Sequence, residues 1–144
     1  MRGHWVGRIP DPKKYFGFIY IITDKTSGRA YVGRKQYWSA KAGVKGCKSR
    51  VVDRASKRWK VSCWKPSDWK TYKGSSRALL DWMRDHPDHE YEYKIIKQCR
   101  AKGILTYSEV QEQWKRNVLG AKLPDGQWAY FNGNIGAIRF RCPQ

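Results

Sequence analysis

Two aromatic-rich segments separated by a short polar stretch constrain this chain most. In the first, Phe16, Phe18, Tyr20 and Ile22 alternate with Gly17, Ile19, Ile21 and Thr23, which reads as a strand. Asp24 to Gly28 supplies turn residues, and Arg29 to Arg34 reads as the returning strand. The pair predicts a β-hairpin closed by a loop of two or four residues. Strand side chains recur on one face with period two, so Tyr20, Tyr31 and Gly33 share a face. Two phenols beside a glycine make either a reactive surface or a pair of core tyrosines. The hairpin alone leaves both open.

Charge narrows the choice of partner. The chain has 144 residues, with Lys plus Arg at 30, Asp plus Glu at 12 and a formal net charge of +18. Such an excess implies a polyanionic partner, with nucleic acid favoured over a membrane surface. No stretch of about 18 apolar residues is present to span a bilayer, and Met1 to Pro12 holds no apolar run of the secretory kind. The expected location is cytoplasmic, within a bacterial host cell. Cys47, Cys63, Cys99 and Cys142 lie at wide spacings without a C-x-x-C pair, and His86 and His89 have no cysteine pair near them. That pattern argues against zinc and predicts free thiols in a reducing compartment.

The remaining chain predicts a single α+β domain over 1–144: a small antiparallel sheet of about three strands flanked by helices. Residues 1–15 form a polar lead-in. Residues 38–70 form a basic insertion after the second strand, in which Lys41, Lys45, Lys48, Arg50, Arg54, Lys57, Arg58, Lys60, Lys65 and Lys70 face only Asp53 and Asp68. Its Trp59, Trp64 and Trp69 either anchor the loop by packing or touch nucleic acid. Ser75-Ser76 offers an N-cap for a helix over 77–85, with Leu79, Leu80 and Met83 as its apolar stripe. Tyr91 to Cys99 alternates as a third strand, with Tyr91, Tyr93, Ile95 and Lys97 on one face. A second helix is expected over 106–118, burying Tyr107, Val110, Trp114 and Val118. The segment 135–140 reads as extended.

The tripeptides Phe18-Ile19-Tyr20 and Tyr31-Val32-Gly33 resemble the two signatures of the GIY-YIG nuclease superfamily. Four further segments extend the likeness in order: Arg34-Lys35-Gln36, Trp69 to Ser76, Leu105 to Glu109, and Tyr130-Phe131-Asn132. The set is similar to phage-type endonucleases of the SegE-like group, over roughly residues 16 to 140. The resemblance implies a Mg²⁺- or Mn²⁺-dependent DNA endonuclease or nickase of homing type, acting on double-stranded DNA. The alternatives are a non-catalytic basic nucleic-acid-binding protein and an RNA-cleaving member of the same fold.

The resemblance assigns Tyr20, Tyr31, Arg34, Lys35, Glu109 and Asn132 to catalysis, with Glu109 as the metal ligand. Phosphodiester hydrolysis needs water activated, developing charge neutralised and the leaving oxygen assisted, and a carboxylate-held divalent cation serves the last two. Glu109 also fits a capping box with Thr106. Tyr20 and Tyr31 are candidates for activating water, since nearby cations favour the phenolate. The Arg34 fork suits two phosphate oxygens. Relatives carry an arginine about ten residues after the second tyrosine, where this chain has Lys41, so Lys41, Arg34 or Arg77 is left to supply that cation. Asn132 either orients a catalytic group or is a turn residue before Gly133. Tyr72, Lys73, Ser75 and Ser76 sit beside the site by resemblance, and a capped helix N-terminus suits phosphate. With Lys41, Lys45, Lys48, Arg50, Arg54, Lys57, Arg58 and Lys60, they make up the expected DNA-binding set.

Overall fold

The computed structural model describes residues 3–47 and 53–139. Lys48, Arg50, Phe140 and Cys142 lie outside the described residues, and with them the expectations that named them. The strands are β1 (Trp5–Gly7), β2 (Gly17–Asp24), β3 (Ala30–Gln36), β4 (Trp38–Ala40), β5 (Trp64–Pro66) and β6 (Tyr91–Cys99). The helices are α1 (Arg77–Asp85) and α2 (Lys102–Lys115).

The main sheet is four-stranded and mixed, in the order β1-β6-β2-β3. The expected sheet of about three antiparallel strands is corrected by β1, which pairs in parallel with β6. It comes from the lead-in, where a three-residue strand shows no readable period. Trp5 fixes it, being 1% exposed and donating its indole N–H to Trp69 O at 2.6 Å. The hairpin pairs Tyr20 with Gly33 and Ile22 with Tyr31, so the expected common face holds. It closes where Asp24 N donates to Arg29 O, leaving residues 25–28 as the loop.

As a central strand β2 is buried on both faces, which explains its near-continuous apolar run. Phe18, Tyr20 and Ile22 face a cluster with Trp5, Trp69, Leu79 and Ile95. Ile19 faces another with Val32, Cys99, Leu105 and Val118. A bulge on β6 breaks its alternation, because Ile19 pairs with Lys97 while Tyr20 pairs with Ile95. Tyr91, Tyr93 and Ile95 stay on the Tyr20 face, and Lys97 moves to the other.

Helix α1 spans the expected residues, and Ser76 Oγ accepts from Leu79 N at 3.3 Å as its cap. Of its expected stripe only Leu79 is fully buried. Helix α2 starts four residues before the expected Thr106 and ends at Lys115. Its N-cap is Ala101, which has no capping side chain to announce a start. The stripe is rotated accordingly. Leu105, Ser108 and Gln113 are buried, whereas Tyr107 and Trp114 are 67% and 66% exposed. Thr106 lies inside the helix and bonds Lys102 O, so the capping box with Glu109 does not form. In the C-terminal segment, the expected extended run is a tight turn bridging Ile135 and Ile138.

The insertion has its own structure. Strands β4 and β5 pair antiparallel, and Cys47 and Cys63 form a disulfide, which corrects the expectation of free thiols. The pairing of Ala40 with Trp64 brings together cysteines that their spacing keeps apart. Cys99 is free and buried. Trp59 and Trp64 stack at 4.9 Å against Phe16, and Trp69 is 5% exposed, so all three tryptophans pack against the fold.

Asp24 anchors the hairpin to α1. This fully buried carboxylate accepts from the Thr26 and Ser27 amides, from Ser27 Oγ, and from Trp82 Nε1 at 2.7 Å, and lies 2.6 Å from His89 Nδ1. Burial alone would raise its pKa, but the bonds from His89, Trp82 and Ser27 hold it at about 2. The folded value lies below the unfolded one. Its contribution is therefore complete above pH 4 and is lost as pH falls through 2, about 2 kcal/mol in all. Melting followed by circular dichroism should lose stability over that interval, and Asp24→Asn should flatten the loss. An unchanged acid profile in the variant would assign the loss to other carboxylates.

Candidate active site

Strand β3 is the edge of the main sheet, so side chains from both of its faces reach one cleft. There a cavity of about 590 Å³ is lined by Tyr31 and Arg34 of β3, Ser75, Ser76 and Arg77 at the start of α1, Glu109 and Gln113 of α2, and the segment around Asn132. A second cavity of about 630 Å³ lies between Pro10, Pro12, Trp38 and Trp69. Its lining carboxylate, Asp68, is held by Lys35, so the β3-edge cavity is the better fit to phosphodiester chemistry.

Gly33 lets the two phenols approach. A Cβ there would stand 2.5 Å from Tyr20 Oη and 2.8 Å from Tyr31 Cε1, so any side chain displaces the rings. The Tyr20 and Tyr31 ring centroids are 6.2 Å apart. Burial pushes the Tyr20 phenol well above 10, and the neighbouring Tyr31 and Tyr72 phenols, with a hydrogen bond that Tyr20 donates to Tyr72, push the same way. Tyr31 is raised to about 12, first by burial and then by the charge of Glu109, against a smaller opposing effect of Arg34. At Tyr31 the expected lowering by a neighbouring cation is thus outweighed, and at Tyr20 every neighbour named pushes upward.

Glu109 projects from the middle of α2 and pairs with Arg34, Nη1 to Oε1 at 3.1 Å. Burial raises its pKa, and Arg34 opposes that rise. Arg77, the first residue of α1, lines the same cavity; Lys41 does not. The long insertion between β3 and α1 explains why counting ten residues from Tyr31 lands on Lys41 instead.

Asn132 is 3% exposed and spends both ends of its amide on Val32. Its Oδ1 accepts from Val32 N at 3.0 Å, and its Nδ2 donates to Val32 O at 2.8 Å. It therefore pins the C-terminal segment to β3, rather than bonding a tyrosine or Glu109. Gln113 was not foreseen, and its Nε2 donates to the same carbonyl at 3.1 Å. The one available signal was its position one turn beyond Glu109 on the same helix face.

The other expected residues separate. Lys35 ion-pairs with Asp68 at 2.5 Å and lies 3.9 Å over the Tyr72 ring, away from Glu109. Ser76 is spent as a cap, Ser75 lines the cavity, and Lys73 is exposed. Lys41, Lys45, Lys57, Arg58 and Lys60 are exposed on the insertion, outside the cavity. Arg54 packs over Trp59 at 4.8 Å and donates to Pro12 O, a structural use that the charge count hides.

No curated protein and no solved structure gives a significant match. The family model described as putative endonuclease segE, GIY-YIG domain, matches residues 7–135, from the end of β1 through both helices to the segment that carries Asn132. Over that length, with both tyrosine segments in place, the chain belongs to the SegE-type GIY-YIG endonuclease family.

Proposed function

We propose that the protein is a divalent-cation-dependent endonuclease of homing or nicking type that hydrolyses double-stranded DNA. The observation that supports this best is the convergence of Tyr31, Arg34, Arg77 and Glu109 on one cavity at the β3 edge. Glu109 is the carboxylate in that lining, and no cluster of three or more His, Cys, Asp or Glu occurs among the described residues. One carboxylate completed by substrate phosphate oxygens is a usual way to hold Mg²⁺, so the residues fit Mg²⁺ or Mn²⁺. Bound there, the cation supplies neutralisation of charge on the reacting phosphoryl oxygens and assistance to the leaving oxygen.

The chain's own residues do the rest. Arg34 and Arg77 approach the cavity from two elements and clamp the phosphate oxygens, fixing the scissile bond. Tyr31 holds or accepts the proton of the attacking water at its Oη. Tyr20, Gly33 and Tyr72 set the position of Tyr31, while Asn132 and Gln113 lock β3, α2 and the C-terminal segment through Val32. Incubation of supercoiled plasmid with Mg²⁺, with and without chelator, tests the reading. Relaxed circles mark nicking and linear DNA marks double-strand cutting. Unchanged plasmid with Mg²⁺ present overturns the enzyme reading for this substrate.

The insertion binds phosphates and carries no sequence reading. Each phosphate contact contributes about −0.9 to the slope of log affinity against log salt. Replacing Lys45, Lys57, Arg58 and Lys60 with alanine should flatten that slope by up to roughly three units. Matched and unmatched DNA should lose affinity alike, since phosphate contacts are blind to sequence. A selective loss at one sequence would mean that the insertion reads bases.

A further inference from the structure

We propose that Arg34 is an exchangeable counter-ion of Glu109. It occupies the carboxylate while the site is empty, and leaves it to a divalent cation when DNA draws the guanidinium onto a phosphate. This rests on the reading of Glu109 as the cation's ligand.

The geometry is that of a pair built to separate. The guanidinium contact runs through Nη1 and Oε1, without the two-pronged fork that makes an arginine–carboxylate pair strong, while the Arg34 backbone N–H also bonds the carboxylate and would stay there when the side chain leaves. Exposure is unequal, at 18% for the Glu109 side chain against 42% for Arg34. The carboxylate is fixed on α2 inside the cleft while its partner stands at the rim, so Arg34 is the member free to move. A cation is nonetheless required in every state, because a carboxylate this buried is costly without one. Arg34 and a divalent cation together on Glu109, with Arg77 nearby, would leave the cavity strongly positive. A phosphodiester removes that excess and offers Arg34 a second anion. Cation binding and DNA binding are therefore coupled through Arg34 in both directions, beyond the coupling that ligation by the phosphate oxygens supplies.

Mn²⁺ binding to the full chain, followed by electron paramagnetic resonance without turnover, tests this. Arg34→Gln should bind Mn²⁺ about 5- to 150-fold more tightly than the unaltered protein, the usual range for such coupling. Arg34→Lys, which keeps the charge, should fall between them. A duplex with uncleavable linkages should tighten Mn²⁺ binding to the unaltered protein by a clearly larger factor than to Arg34→Gln, in which only ligation by the phosphate oxygens remains. If Glu109→Gln removes Mn²⁺ binding but Arg34→Gln binds no more tightly, the exchange is wrong and the ligand role of Glu109 stands. If no variant shows Glu109-dependent Mn²⁺ binding, with or without duplex, the metal reading fails and the exchange fails with it.

Discussion

Glu109→Gln should reduce plasmid cleavage to the level of the chelated enzyme, a loss on the order of 10³ or more, while DNA binding changes little. The substitution is nearly isosteric and keeps a hydrogen-bond acceptor for Arg34. It removes the negative charge, and with it the carboxylate that the cavity lining supplies for a divalent cation. Folding should survive, since Glu109 sits mid-helix on α2 and does not cap it. Affinity for DNA should hold or rise slightly, because a like charge near the phosphate is gone and Arg34 is released. Filter binding in chelator, compared with cleavage in Mg²⁺, separates the two effects. Cleavage retained alongside a lowered melting temperature would make Glu109 only the structural partner of Arg34.

How the site assembles explains what the sequence could announce. Strand β2 and its turn were legible because alternation, a run of aromatics and Asp24 to Gly28 all act within a dozen residues. Helix α1 was legible for the same reason, its serine cap and apolar positions lying side by side. The start of α2 was hidden. Ala101 carries no capping group, and its place is fixed by a bridge to Asp53 in the insertion. That shift exposed Tyr107 and Trp114, which composition would put in the core, and buried Gln113, whose amide finds its acceptor on β3. Strand β1 and the disulfide likewise depend on partners 16 or more residues away. Glu109 came from resemblance, and its environment from the fold. A sequence shows the carboxylate, but the Arg34 pair that neutralises it forms only when α2 docks beside the β3 edge.

Tyr31→Phe should lower the cleavage rate by a factor on the order of 10² or more, with a smaller loss for Tyr20→Phe. The two phenols differ in access. Tyr31 lines the cavity, whereas Tyr20 is 1% exposed beneath Gly33 and belongs to the apolar cluster. Removing the Tyr20 hydroxyl leaves Tyr72 without that bond, at a cost of about 0.5–1.5 kcal/mol, so its effect should appear in stability more than in rate. With a pKa of about 12, Tyr31 is ionised in only ~10⁻⁴ of molecules at pH 8. A proton-accepting role at its hydroxyl then predicts a rate that climbs tenfold per pH unit from about pH 7 to 10, a climb that Tyr31→Phe abolishes. A flat profile with a large loss in Tyr31→Phe would instead make the phenol a hydrogen-bond donor that holds the water or a phosphate oxygen. Near-normal rates in both variants would leave the phenols as packing for the β3 edge, and the proton of the attacking water would have to go elsewhere.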